Sequence, residues 1–525
     1  MTENTPADRV GEPGSGAAGA EPGSGSTSTA LGPDGSPPDP KRFRALGIIA
    51  LAQLMIVLDA SIVNLAIPSA QQDLGIASAD VQWIVTAYTI MFGSLLLLGG
   101  RIADYQGRKR TFIVGLIGFA VASLLGGLAP NATLLFAARG LQGAFAALMA
   151  PAALALITVT FHDPKERARA FGVFGAISGG GAAIGLLLGG VLTEYLSWRW
   201  CLAVNTPIAI LAALLAARVV RESKADGHPT YDIPGAITVT LGLIALVYGF
   251  TKAAPSGLKD GSHWTEPSTF MWFVAAAVLL AAFVVIEGRS SHPLLPLRVP
   301  LERNRGGAYI SSIMTGAGLF AMFLFLGLYM QIILRYSPVQ AGLAFLPFSV
   351  GIVLGAGIAS QLLPRVGPRP LMVPGLIMGS AGLLWLAQIE PDSNYFSHIL
   401  PSMVIMSVGM AFTFIPTATV ALHGIEHRDA GVASATINTS QQVGGSLGTA
   451  LMNTVAVTAT VAYLAAHQSD GEAALPAALT QGYVRGFYVG AALLAAAAIV
   501  VLLLIRIGPS AVEDDEDEGT PIHFG

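Results

Sequence analysis

The chain has 525 residues, of which 53% are hydrophobic and 11% charged, with a mean hydropathy of +0.64 and a formal net charge of -4. Soluble domains carry about 25% charged residues, so this composition excludes a soluble enzyme and describes a polytopic membrane protein. The single cysteine, Cys201, excludes a disulfide framework and a cysteine metal cluster.

Residues 1–43 are rich in Gly, Pro, Ser and Ala and nearly free of large apolar side chains, the composition of a disordered tail without the apolar core of a signal peptide. Ala45 to Ile67 then runs for 23 almost wholly apolar residues. As a helix it spans about 34 Å, enough to cross a hydrocarbon core of about 30 Å. Asp59 lies inside it. A charge at that depth costs about 2.5–3.5 kcal/mol, so Asp59 is expected to face protein or water, as a working group or as a structurally paired acid.

Further apolar runs lie near 81–102, 111–129, 132–158, 168–193, 201–219, 233–253, 268–287, 306–333, 339–363, 369–389, 395–421, 430–464 and 480–506, which makes fourteen expected membrane helices. An even number places both termini on one side. With that side inside, 22 of the 28 lysines and arginines fall in inner tails and loops, and five (Arg199, Lys252, Lys259, Arg335, Arg485) fall outside. The asymmetry predicts cytoplasmic termini. The acidic run Glu513 to Glu518 reads as a solvated end.

The remaining cation, Arg139, lies within the fourth span. Counted from the outer surface, Arg139 is about 10 Å deep and Asp59 about 12 Å deep. Two lone deep charges of opposite sign and similar depth are natural partners. Arg139 favours ionised Asp59 and burial favours the protonated form. The pair therefore reads either as a proton-handling site or as a static ion pair holding two helices together.

After the second span the chain reads Gly100-Arg-Ile-Ala-Asp104-Tyr-Gln-Gly107-Arg108-Lys109-Arg110. The glycines permit a tight turn, and Asp104 is placed to accept from the basic cluster or to cap a neighbouring helix. This stretch resembles the loop signature of the major facilitator superfamily. The resemblance implies a cytoplasmic gate at Gly100, Asp104, Gly107 and Arg108, closed by bonds that break as two halves rock. Arg139-Gly-Leu-Gln142-Gly143 is similar to the family's arginine motif linked to proton transfer. Gly172, Gly181, Gly185, Gly189 and Gly190 have the spacing of the exporters' antiporter motif. Small residues let helices approach closely, so Gly181, Gly185, Gly189 and Gly190 are expected at a tight seam or hinge. Leu186 stands where that motif has proline, which keeps import open as an alternative to export.

Leu58-Asp59-Ala-Ser-Ile-Val-Asn64-Leu-Ala-Ile-Pro68, with Trp83 and Tyr88, resembles the first two helices of the fourteen-helix drug:proton antiporters. Ser197-Trp198-Arg199-Trp200 with Asn205 and Pro207, Asp232-Ile-Pro-Gly235, Tyr336-Ser-Pro338, and Asn438-Thr-Ser-Gln441-Gln442-Val-Gly444-Gly445 fit the same family, although Gln441 often is arginine there. The resemblance covers about residues 42–506. It implies an all-α integral membrane protein of major facilitator fold, with six-helix bundles at 44–219 and 306–506, an inserted helix pair with its linkers at 220–305, and cytoplasmic tails at 1–43 and 507–525. Pro364-Arg365-Val-Gly367-Pro-Arg369 echoes the loop after the second span, which fits two repeated halves around a midplane site.

Candidate cavity residues are Met55, Tyr88, Met91, Phe92, Phe323, Tyr329, Met406 and Met410, since Met and aromatic side chains adapt to varied apolar shapes; each also reads as ordinary packing. No phosphate-binding Gly-Lys-Ser/Thr loop is present, so the chain by itself is not expected to be an ATP-driven pump or another enzyme. His423-Gly-Ile-Glu426-His427 formally fits a zinc-peptidase pattern but reads as a short loop, and no metal, cofactor or nucleic-acid partner is expected. The combined expectation is a monomeric, proton-gradient-driven antiporter of the bacterial plasma membrane. Asp59 takes a proton, Arg139 tunes it, the Asp104 loop latches, and an amphipathic substrate such as an antibiotic competes with the proton. A proton-coupled importer and, from another class, a non-transporting sensor or scaffold are the alternatives.

Overall fold

A computed structural model of the chain describes residues 40–161, 163–224, 231–255, 261–425 and 429–508. The expected tail up to residue 39, the acidic run from Glu513 and the Glu426-His427 end of the histidine pattern lie outside the described residues. Among the described residues, fourteen helices are long and apolar enough to cross a membrane. The first six are α1 (Arg42–Leu74), α2 (Trp83–Gln106), α3 (Arg108–Gly127), α4 (Ala132–Thr160), α5 (Pro164–Tyr195) and α6 (Trp200–Val219). Then come α7 (Ile233–Ala253), α8 (Pro267–Arg289), α9 (Arg303–Ile333), α10 (Pro338–Val366), α11 (Pro368–Leu386), α12 (Tyr395–Leu422), α13 (Ala430–Ala466) and α14 (Leu475–Leu504).

Hydrocarbon offers backbone groups no partners, so long apolar runs close their own hydrogen bonds as helices. Polar side chains set where several of them start. Asn131 accepts from Leu134 N–H at the start of α4, and Asp163 accepts from Lys165 and Glu166 N–H at the start of α5, with Pro164 between. Asp232 does the same for Gly235 in α7. Within α6 the helix is interrupted at Val204, where Pro207 has no N–H for the carbonyl one turn back. Asn205 follows that break.

Helices α1–α6 pack as one bundle, with α4 against α2 and α3, α1 against α5, and α3 against α6. Helices α9–α14 pack as a second, with α9 against α13 and α14 and α11 against α12 and α14. The pair α7–α8 attaches through α7 to α2 and α13. Thr240 Oγ1 donates to Ser94 Oγ at 3.0 Å and Thr454 Oγ1 to Phe250 O at 2.7 Å across those contacts. In its most apolar stretch α8 is only 11% buried, against 72% for α9. So α8 is an outer, lipid-facing arm, whereas α9 is central.

The halves meet along α2 and α13, where Thr89 Oγ1 and Ser446 Oγ lie 2.6 Å apart and Thr439 Oγ1 donates to Gly93 O at 3.1 Å. They also meet along α5 and α10. Far from the termini, Gly190 lies against Pro338 and Val339, and the Glu194 carboxylate accepts Val339 N–H at 2.9 Å. Gly172 precedes Gly190 by eighteen residues, about five turns, so it shares that stripe of α5. Among the described residues, no atom outside the helix's own backbone lies within 4 Å of where a Gly172 Cβ would sit, and the same holds for Gly357 on α10. The far end of α5 is thus tied to the start of α10 across the two halves.

Candidate functional site

Asp59 on α1 and Arg139 on α4 meet inside the first bundle. Arg139 Nη1 lies 2.6 Å from Asp59 Oδ2, and both side chains are shut off from solvent, at 0% and 1% exposure. Gln142 Nε2 and Asn205 Nδ2 each donate to Asp59 Oδ1 at 2.9 Å. Arg139 also donates through Nε to Ile84 O at 2.9 Å and through Nη1 to Gln142 Oε1 at 3.0 Å, and its guanidinium sits 4.6 Å above the Tyr88 ring. Gln142 donates further to Ser123 Oγ at 2.8 Å. Five helices thus supply one dry polar cluster. Burying an isolated charge is prohibitive, and a buried pair needs further hydrogen bonds to offset its desolvation, which these partners supply.

The local sequence explains the approach. Arg139 and Gln142 are three residues apart and share a face of α4. Gly143 sits directly on the Tyr88 carbonyl, where any side chain would collide. Its bare Cα lets α4 lie close enough to α2 for Arg139 to reach both the Ile84 carbonyl and the Tyr88 ring.

The loop after α2 is organised differently. Gly107 has φ +115°, a conformation that suits glycine. Asp104 accepts from its neighbour Arg108, at 2.9 and 3.2 Å, and caps no other helix among the described contacts. The cap on α3 comes instead from Glu222, just past α6, whose carboxylate accepts Lys109 and Arg110 N–H at 3.1 Å each. Arg108 N–H bonds Ser223 O at 3.0 Å, and Lys109 Nζ bonds Ala217 O at 2.7 Å. Gly100 lies near Pro151. Arg101 Nη2 reaches Pro293 O at 3.4 Å in the linker beyond α8.

Gly181, Gly185 and Gly189 line one face of α5 against Val57, Ser61 and Ile62 of α1, and Gly190 turns to α10. Helix α5 runs unbroken past Leu186, which is buried, its carbonyl close to Gly342. The candidate cavity residues do not gather in one place. Met55, Tyr88 and Phe92 belong to the core of the first bundle, while Tyr329, Met406 and Met410 belong to a core running through the second. Met406 and Met410 pack under Gly382 and Gly379 of α11. Phe323, partly buried, packs on Phe345 and Phe348, with ring centroids 5.3 and 5.2 Å apart. Tyr329 donates its hydroxyl to Glu390 O. Met91, partly buried, lies beside Gly140.

Residues 49–449 match the Major Facilitator Superfamily. The chain belongs to that superfamily. It is 48% identical over 458 residues to the puromycin resistance protein pur8 of Streptomyces alboniger, covering 87% of this chain and 89% of that protein. It is 39% identical over 433 residues to the cephamycin export protein CmcT of Amycolatopsis lactamdurans, covering 81% and 88%. Its fold is shared with a bacterial homologue of the human lysosomal transporter Spinster, at TM-score 0.64 and 15% identity over 91% of this chain and 98% of that one. A D-xylose–proton symporter matches at TM-score 0.61 and 13% identity, over 89% and 99%.

Within this superfamily member the polar cluster is larger than the two charges that announce it. Ser123 carries no sequence signal, being a small polar residue in an apolar helix. Asn205 is visible as a lone amide ahead of Pro207, but nothing in the sequence aims it at Asp59. Glu222 stands between Arg221 and Lys224 and reads as one more charge of a solvated loop.

Proposed function

We propose that this chain exports amphipathic, antibiotic-like small molecules across the bacterial plasma membrane by alternating access, exchanging them for protons carried at Asp59. The observation that carries this reading is a fully buried acid, Asp59, bonded to a fully buried cation, Arg139, in a chain nearly half identical to a puromycin resistance protein. The names of the relatives favour export over import, even with Leu186 in place of proline. The lysine and arginine asymmetry supports cytoplasmic termini. On that orientation the contact of Gly190 and Glu194 with Pro338 and Val339 lies at the outer end of the pathway, and a single copy holds both of its halves.

Asp59 is enclosed within the first bundle rather than exposed in the cleft. Proton and substrate therefore act on one another through movement of α1 and α4. When solvent reaches Asp59 from outside, a proton on the carboxylate weakens its bond to Arg139. The helices holding the two charges are then free to shift against α5, whose glycine face follows α1. Asp104, Arg108 and the Glu222 staple form the latch at the inner end.

Inside-out vesicles with an acid interior and a pH-sensitive dye test this reading. Puromycin or a cephamycin added to wild type is expected to collapse the gradient, and Asp59→Asn is expected to abolish the response at equal expression. Equal responses from the two would sink the role of Asp59. No response of wild type to either drug, or to a wider panel of amphipathic antibiotics, would sink drug export.

A further inference from the structure

Asp59 receives three donors: Arg139 Nη1, Gln142 Nε2 and Asn205 Nδ2. That arrangement suits a carboxylate, which only accepts. A carboxylic acid has an O–H to give, so one of its partners must then accept. Arg139 has no acceptor. Gln142 is held in place, because its Oε1 accepts from Arg139 at 3.0 Å and its Nε2 also serves Ser123 Oγ at 2.8 Å. Reversing that amide sets Nε2 against Arg139 Nη1, donor against donor, and loses the Arg139 bond, although the Ser123 hydroxyl can turn to donate.

Asn205 is different. Its Oδ1 is buried and has no hydrogen-bond partner. A half-turn about χ2 brings Oδ1 to the place Nδ2 now holds, 2.9 Å from Asp59 Oδ1. It carries Nδ2 to the place where Oδ1 now has no partner. Each orientation leaves one amide atom unpaired, so the reversal exchanges one bond to Asp59 for another without a net loss. The titratable or charged groups facing Asp59 are Arg139 from α4, Tyr88 from α2 and Cys201 from α6. Tyr88 Oη makes no hydrogen bond, and Cys201 Sγ is engaged with Thr193 Oγ1 and Gly189 O.

Resting on the reading of Asp59 as proton carrier, we propose that Asn205 is a positioning residue for both of its protonation states. It donates through Nδ2 to the carboxylate and, after the amide reverses, accepts through Oδ1 from the acid. The proton comes from solvent to Asp59 Oδ1 and leaves from it; Asn205 neither gains nor loses one.

Two variants test this. Asn205→Leu keeps the bulk and removes both functions; Asn205→Thr supplies a hydroxyl that can give or take. The bond to the carboxylate is charge-assisted and stronger than the bond from the acid, so in the vesicle assay Asn205→Leu is expected to raise the pH of half-maximal exchange by about one unit, a tenfold change in proton affinity, with Asn205→Thr restoring it toward wild type. The carboxylic-acid C=O band of Asp59, identified by its absence in Asp59→Asn, is expected to move in Asn205→Leu. A wild-type pH profile with an unmoved band overturns the proposal. Should Asn205→Leu fail to fold, wild type carries the test. On acidification an amide C=O band that is missing in Asn205→Thr must change together with the Asp59 band, and an acid band without that change overturns the proposal. Failure of the underlying proton reading shows separately, as drug-driven proton movement in Asp59→Asn equal to wild type.

Discussion

Asp59 and Arg139 are 80 residues apart in the chain, yet their side chains meet at 2.6 Å with no access to solvent. Neither charge can be removed alone without consequence. Arg139→Ala leaves a buried carboxylate with only amide donors, and loss of one member of such a pair costs about 3–5 kcal/mol. Arg139→Ala is therefore expected to express poorly or to unfold at markedly lower temperature in detergent. Asp59→Asn keeps the shape and one acceptor for Arg139, but sets an NH2 among donors and leaves the cation unneutralised, so it is expected to be destabilised as well. Wild-type stability of both variants would show that the pair contributes little to the bundle.

The glycine face of α5 gives a contrast within one helix. A Cβ on Gly189 would lie 2.6 Å from the Ile62 carbonyl oxygen, a backbone atom that cannot turn aside. Gly189→Ala is expected to force α1 and α5 apart, at about 1–3 kcal/mol, and to impair transport. Gly172→Ala meets no other helix within 4 Å among the described residues and is expected to retain wild-type transport. Drug-efflux rates in cells at matched expression decide it; similar rates for the two variants would count against the α1–α5 seam.

Glu222 caps α3 through the N–H groups of Lys109 and Arg110. Its replacement by alanine is expected to lower stability by about 1 kcal/mol, in keeping with loss of a helix cap. Hydrogen exchange at the first turn of α3 should rise, whereas Asp104→Asn, which removes a partly exposed pair with Arg108, should leave that turn unchanged. An unchanged exchange rate in Glu222→Ala would remove Glu222 from the latch.

Glu302, at the start of α9, carries a pH signature. Burial opposes its ionisation. The N–H groups of Arg305 and Asn304, the Asn304 amide and the Arg305 guanidinium outweigh burial and hold the carboxyl below its usual value of 4.5. A depressed carboxylate contributes stability that is present above the ordinary value and is lost as pH falls through the lowered one. Wild type is therefore expected to exceed Glu302→Gln by about 1 kcal/mol at neutral pH, with the gap closing in acid below 4.5. Thermal unfolding across pH measures it, and a gap independent of pH would contradict the assignment.

The sequence by itself determined the class, the fourteen spans and the presence of one charge of each sign, Asp59 and Arg139, inside two of them. Hydropathy is local, and the energetic penalty on a charge in hydrocarbon makes each such residue conspicuous in a string of letters. The superfamily signatures were legible for the same reason, since glycines and charges at fixed offsets are what tight turns and close helix approach require. Asp104 illustrates the limit: its position at a helix end was plain, but whether it paired with Arg108 or capped a helix depended on Glu222, over a hundred residues away.

Only the tertiary structure decided which neutral groups complete the Asp59 cluster. Gln142 was marked by its motif and its spacing from Arg139, but Ser123 and Asn205 carry no net charge, and nothing in their own helices marks them as partners. Their role comes from five helices converging on one buried point. It also decided that Met406 and Met410 pack beneath α11, because an apolar residue looks the same in sequence whether it faces lipid, cleft or a neighbouring helix. The sequence fixes how deep a side chain lies in the membrane, and helix packing fixes what it faces there.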